Sequence, residues 1–153
     1  MNNTIEEEAA KAIGLILFEF TRLDMNLGLC VVWTNEGKNI NELSSKYNQK
    51  SFSCRLKFIE KLAHKKYARG SDELNKYINW IKNANDVREI RNQLVHGRYG
   101  FIPREGCVAN VVGLPTSPEQ SETRYTIKQL HSLVKRIKKL SNQLSELRNE
   151  YPV

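Results

Sequence analysis

Apolar residues recur at helical spacing through most of the chain, and the stripes they draw predict four long helices. From about Thr4 to Trp33 they fall at Ile5, Ala9, Ala12, Ile13, Ile16, Leu17, Phe20, Leu23, Leu27 and Val31, which is one buried stripe on a long helix. Thr4 followed by Glu7 reads as a capping box at its start. The stretch NEGKNINEL is polar and turn-like, so a loop is expected near residues 34 to 50. Ser51 then caps a second helix with Phe52, Leu56, Ile59, Leu62 and Ala63 inward, ending around residues 68 to 70. Ser71 opens a third, whose first half buries Leu74, Tyr77, Ile78 and Ile81. The fourth carries Ile127, Leu130, Leu133, Val134, Ile137, Leu140, Leu144 and Leu147 to the end of the chain.

Between the third and fourth helices the pattern changes. CVANVV and TRYTI are β-prone runs separated by GLPTSPEQSE, the signature of a small hairpin or an irregular flap. The expected fold is therefore all-α: an antiparallel four- to five-helix bundle with a small β-hairpin or flap at about residues 99–127. A chain of 153 residues fits a single helical domain spanning 1–153. The longest run free of charge, Gly106 to Pro118, is broken by Gly and Pro and falls short of the roughly 18 apolar residues of a membrane span. The start, MNNTIEEEAAK, is acidic where a secretory signal is basic, so the expected compartment is the cytoplasm. Cys30, Cys54 and Cys107 are odd in number and scattered, so they are expected to be reduced and buried as small hydrophobes. Lys and Arg outnumber Asp and Glu by 24 to 17, a balance that favours polyanionic partners.

The third helix carries the candidate chemistry. Beyond NAND, residues 83 to 86, its buried face continues through Val87, Ile90 and Leu94, well round the cylinder from Leu74 and Ile81. The helix is expected either to kink there or to change partners. Arg88, Asn92 and His96 form one row on the side opposite Val87, Ile90 and Leu94. Arg91 flanks that row, about 140° from His96 at about 100° per residue.

The run REIRNQLVHG, with Arg91, Asn92 and His96 near the end of the third helix of a small bundle, resembles the signature of the HEPN (higher eukaryote and prokaryote nucleotide-binding) domain family, an Arg and a His with four to six residues between them and a polar residue favoured after the Arg. The resemblance also takes in the helix order and the insertion after the motif helix. It implies a metal-independent endoribonuclease that acts as a homodimer, with the motif helices at the two-fold axis, in toxin–antitoxin, abortive-infection or other anti-phage systems. RNA is the implied substrate and a cognate antitoxin an implied partner; no cofactor, no metal and no membrane are expected.

The residue types suit that chemistry on their own account. Cleaving RNA through its 2′-hydroxyl needs a base near that oxygen, an acid near the leaving 5′-oxygen and positive charge on the phosphorane between them. His transfers protons near neutral pH, and Arg keeps its charge. Arg91, Asn92 and His96 are the catalytic candidates, with Arg88, Arg98 and Tyr99 as candidates for holding substrate. One His is poorly placed to serve both sides of the phosphorus, whereas two motif helices about a two-fold bring two His and two Arg together. The same residues also fit a plain helix end, where cations complement the dipole before a stop at Gly97. Asn92 alone fits a solvated helix position.

Other features are weighed the same way. Some relatives of the resembled family carry His-x-Tyr, the Tyr being modified by a partner nucleotidyltransferase; here His96-Gly97-Arg98-Tyr99 is one residue longer, which favours a Tyr packed under the flap. His64 and His131 have no acid or nucleophile at motif spacing. Lys135, Arg136, Lys138 and Lys139 either track phosphates or form the solvated side of the fourth helix. Two function classes remain: a HEPN-type ribonuclease, and a non-catalytic HEPN-fold module binding nucleotide or protein.

Overall fold

A computed structural model describes residues 3–153. It is mostly helical, with α1 (Ile5–Val32), a 3₁₀ turn (Thr34–Gly37), α2 (Ile40–Tyr47), α3 (Phe52–Lys66), α4 (Asp72–His96) and α5 (Ile127–Glu150). Three strands lie between α4 and α5: β1 (Arg98–Ile102), β2 (Cys107–Val112) and β3 (Ser121–Thr126). The all-α expectation is corrected to this extent: the insertion is a three-stranded antiparallel sheet in the order β1-β2-β3. No helix among the described residues is long and apolar enough to cross a membrane.

Each of the four long helices starts where its sequence supplies a cap. Thr4 and Glu7 bond reciprocally, the Thr4 amide donating to Glu7 Oε2 at 2.9 Å and the Glu7 amide to Thr4 Oγ1 at 3.2 Å. Ser51 accepts from the Cys54 amide and Ser71 from the Leu74 amide. A second capping box, Thr126 with Gln129, turns β3 into α5.

The chain packs as two compact units: residues up to Phe20 with Val87–Ile137, and Thr21–Asp86 with Lys138–Val153. The first holds the sheet, the end of α4 and the start of α5, with Val87, Leu94, Val108, Leu130, Val134 and Ile137 in its core. The second is built on Leu23, Leu27, Ile59, Leu74, Tyr77 and Leu144. Within it Arg55 reaches Asp24 Oδ1 at 2.8 Å and donates to the carbonyls of Tyr47 and Asn48 at 3.0 and 3.1 Å. Trp80 Nε1 donates to the Leu140 carbonyl at 2.9 Å, so the indole is both buried and satisfied.

Three local expectations are corrected. The loop placed at residues 34 to 50 contains α2, which buries only Leu43 and so leaves no apolar period to read. In the first half of α4 the inward residues after Tyr77 are Trp80 and Ala84, while Ile78 is exposed and Ile81 half-buried. Trp80 and Ala84 carry the stripe gradually round to Val87, so α4 stays one unbroken helix and changes partners at Asp86 and Val87. Of the cysteines only Cys30 is buried; Cys54 is exposed and Cys107 half-buried.

Candidate active site

The motif helix ends against the sheet, and two side chains from the sheet hold its last carbonyls. An α-helix leaves its final C=O groups without intrahelical donors. Here the Gln93 carbonyl accepts from the Gly97 amide at 2.8 Å and from Asn110 Nδ2 at 3.1 Å, while the Tyr99 hydroxyl donates to the Leu94 carbonyl. Tyr99 and Asn110 are directly paired across β1 and β2, so they share one face of the sheet. Asn110 is almost fully buried, at 1% exposure.

Gly97 is glycine because of this packing. It is not among the glycines with positive φ, so no left-handed stop is formed. A Cβ there would stand 2.3 Å from Asn110 Nδ2 and 2.8 Å from the Gln93 carbonyl oxygen. The motif's final turn is thus fixed by close approach of a buried amide.

Arg91 turns away from the open side of the helix. Its Cζ lies 4.3 Å from the centroid of the buried Phe20 ring of α1, a cation–π contact. His96 is exposed and makes no described hydrogen bond or ion pair; Asn92 is half-buried and likewise makes none described. No described contact joins Arg91 to His96, whose side chains leave α4 on different sides. His96 is thus a proton-transfer group presented to solvent.

The three residues expected to hold substrate are already engaged within the fold. Arg88 pairs with Glu89 at 3.3 Å. Arg98 donates to the Gly113 carbonyl and Gln120 Oε1, closing the turn between β2 and β3. Tyr99 is half-buried; burial pushes its phenol up from the ordinary range, the Asn110 amide opposes that, and Tyr125 adds to it. His64 and His131 are exposed. Among the described residues no group of three or more His, Cys, Asp or Glu is placed to hold a metal ion.

The sequence reading passed over Asn110 and Tyr125. Asn110 lies mid-strand in CVANVV, where a polar residue between apolar ones signals a buried amide with work to do. Tyr125 lines a shallow groove with Ile90, Leu133, Arg124 and Arg136, and Ile90 immediately precedes Arg91. Arg124 in that groove is held by Glu105 and Glu122 at 2.9 and 3.1 Å. No protein-family model matches the chain, and neither a curated protein nor a solved structure matches it.

Proposed function

We propose that the chain is a metal-independent endoribonuclease with a HEPN-like helical bundle, cutting RNA by attack of its own 2′-hydroxyl. The carrying observation is His96: its imidazole is open to solvent and unbonded in the described contacts, while the turn that bears it is locked through Gln93 and Leu94. A proton-transfer group on a rigid support is what general acid–base chemistry requires. Arg91, packed against Phe20, supplies a positive charge, and Asn92 supplies a hydrogen bond to orient phosphate or imidazole. Because Arg91 and His96 leave α4 about 140° apart at about 100° per residue, the reading calls for a homodimer in which two α4 ends meet at a two-fold axis. Such an enzyme acts on RNA in the cytoplasm, as a toxin or anti-phage component restrained by a cognate antitoxin.

The test is cleavage of a mixed RNA pool in EDTA by the native protein and by His96→Ala. Cleavage by the first and not the second supports the assignment; equal cleavage, or none by either, removes it. One observation favours a second reading. Arg91 packs against Phe20, which suits a non-catalytic module that binds a phosphate or a protein, and RNA binding without cleavage selects it.

A further inference from the structure

The formal net charge of +7 is not spread over the chain. Residues 43–71 hold eight Lys and Arg against one acid, Glu60, and the other 124 residues balance, sixteen against sixteen. That stretch is most of α2, the turn after it, all of α3 and the loop that follows, and it lies within the second unit. Two of its cations serve the fold. Arg55 holds Asp24 and the carbonyls of Tyr47 and Asn48, and Lys66 donates to the Pro152 carbonyl.

Lys57, Lys61 and Lys65 stand four apart on α3, one row rising about 6 Å per step, with His64 beside the last two and Lys50 just ahead of the helix. All five are exposed, and among the described residues no side-chain hydrogen bond or ion pair engages any of them. Like charges four apart in a helix repel, so the row works against the helix that carries it. The dipole of α3 favours cations in its last turn, which accounts for His64 and Lys65 and leaves Lys57 and Lys61, in mid-helix, without that reason. A face that served solubility alone would mix both signs.

We propose that this face of α3 is a docking surface for the phosphate backbone of single-stranded RNA. An unneutralised lysine row holds a positive potential that a polyanion relieves, and each phosphate bound releases condensed counterions. The row carries the chemistry of backbone contact and not of base reading: lysine is a point charge, and no exposed Asn, Gln, Arg, Phe, Tyr or Trp stands on α3. One row follows one strand, whatever its sequence. A membrane fits less well, since none of the exposed large apolar side chains lies on α3, and the half-buried Phe58 packs on Tyr47 with ring centroids 4.8 Å apart. The choice of RNA rests on the ribonuclease reading; the surface itself rests on the charge.

Binding is measured on the full chain carrying His96→Ala, so that the probe stays intact, by fluorescence anisotropy of a labelled single-stranded oligoribonucleotide. Lys57→Gln, Lys61→Gln and Lys65→Gln together should weaken binding at least about tenfold at about 50 mM salt and lower the slope of log affinity against log salt by about 2, three contacts at about 0.7 each. Circular dichroism and Tm should be held or improved, because the repulsion along the row is gone. The same change of three charges on α5, Lys128→Gln, Lys135→Gln and Lys139→Gln, should leave binding within about threefold, as screened charges away from the contact do. Equal losses from the two variants, no loss from the α3 variant, no RNA binding by the His96→Ala chain, or displacement by anionic phospholipid vesicles or polyglutamate as effective as by unlabelled RNA overturns the proposal. RNA bound through α3 with no cleavage by the native protein keeps the surface and removes the ribonuclease reading; cleavage by the native protein with binding indifferent to α3 does the reverse.

Discussion

The side-chain amide of Asn110 occupies the space that a Cβ on Gly97 would need, 2.3 Å from where that atom would stand. The same amide donates to the Gln93 carbonyl. A strand residue and a helix-end residue are therefore one fitted pair, and His96 sits on the turn they define.

Gly97→Ala is expected to drive Asn110 off the Gln93 carbonyl and to cost about 1–3 kcal/mol, the range for disturbing a buried hydrogen bond, with a fall of several degrees in Tm. Asn110→Ala removes the obstruction along with the bond. The double variant should accordingly be more stable than the two single losses add up to, by more than about 0.5 kcal/mol. Strict additivity in denaturant unfolding would show that the two residues do not share the space.

His96 and Arg91 should part company in a joint measurement of cleavage and stability. His96→Ala should lower RNA cleavage by about 10²–10⁴ and change stability by no more than about 0.5 kcal/mol, because the side chain is exposed. Arg91→Ala should lower cleavage by about 10²–10³ and also cost about 0.5–2 kcal/mol by stripping the cation from the buried Phe20 face. A 2′-deoxy sugar at the cut site should block cleavage by the parent enzyme. An Arg91→Ala protein as stable as the parent would show the Phe20 contact to be idle.

Arg55 should be the costliest surface-reachable cation to lose in its unit. Its guanidinium serves Asp24, the Tyr47 carbonyl and the Asn48 carbonyl at once. Arg55→Met is expected to lower the unfolding free energy by about 2 kcal/mol, within the range for hydrogen bonds to charged groups. Arg55→Lys should recover less than half, since an ammonium cannot span three acceptors as a planar fork does. Full recovery by lysine would reduce the contact to simple charge.

The cysteines should differ in reactivity and in their effect on pH stability. Burial pushes the Cys30 thiol up to about 11, against the opposing charge of Arg148. Iodoacetamide at pH 8 should label Cys54 first and leave Cys30 unmodified until the protein unfolds, as mass spectrometry of the peptides would show. The folded thiol holds its proton to higher pH than the unfolded one, so its stabilising contribution is whole below the ordinary thiol range and is lost as pH rises from there through about 11. Cys30→Ala should flatten that part of the stability profile; an unchanged slope would assign it to other groups.

How much of this could be read from the residues differed with the physics involved. Helices α1, α3, α4 and α5 were legible because each buries a periodic stripe and starts on a capping side chain, as with Thr4 and Ser51. Helix α2 was not, since a short helix resting on Leu43 alone has no period to detect. The sheet was partly legible: the β-prone runs marked β2 and β3 but not β1, and the pairing of Tyr99 with Asn110 depends on a register that a sequence does not display. At the candidate site, residue types and spacing pointed to Arg91, Asn92 and His96. They carried no information that Phe20, far away in the chain, would draw the arginine aside. The exposure of Leu15, Phe18, Met25 and Leu29 on α1 went unread because one apolar stripe was enough to explain a helix.

The two tryptophans divide the optical signal of the molecule between two environments. Trp80 is buried and hydrogen-bonded to the Leu140 carbonyl, so its emission should be blue-shifted and shielded from iodide until the second unit opens. Trp33 is half exposed, its ring lying against Gly37, and should emit to the red and be quenched freely. With Trp80 replaced by Phe, the remaining indole becomes a gauge of whatever covers the end of α1; with Trp33 replaced, the other reports unfolding alone. Intrinsic fluorescence can thus follow association and denaturation separately, with no dye attached.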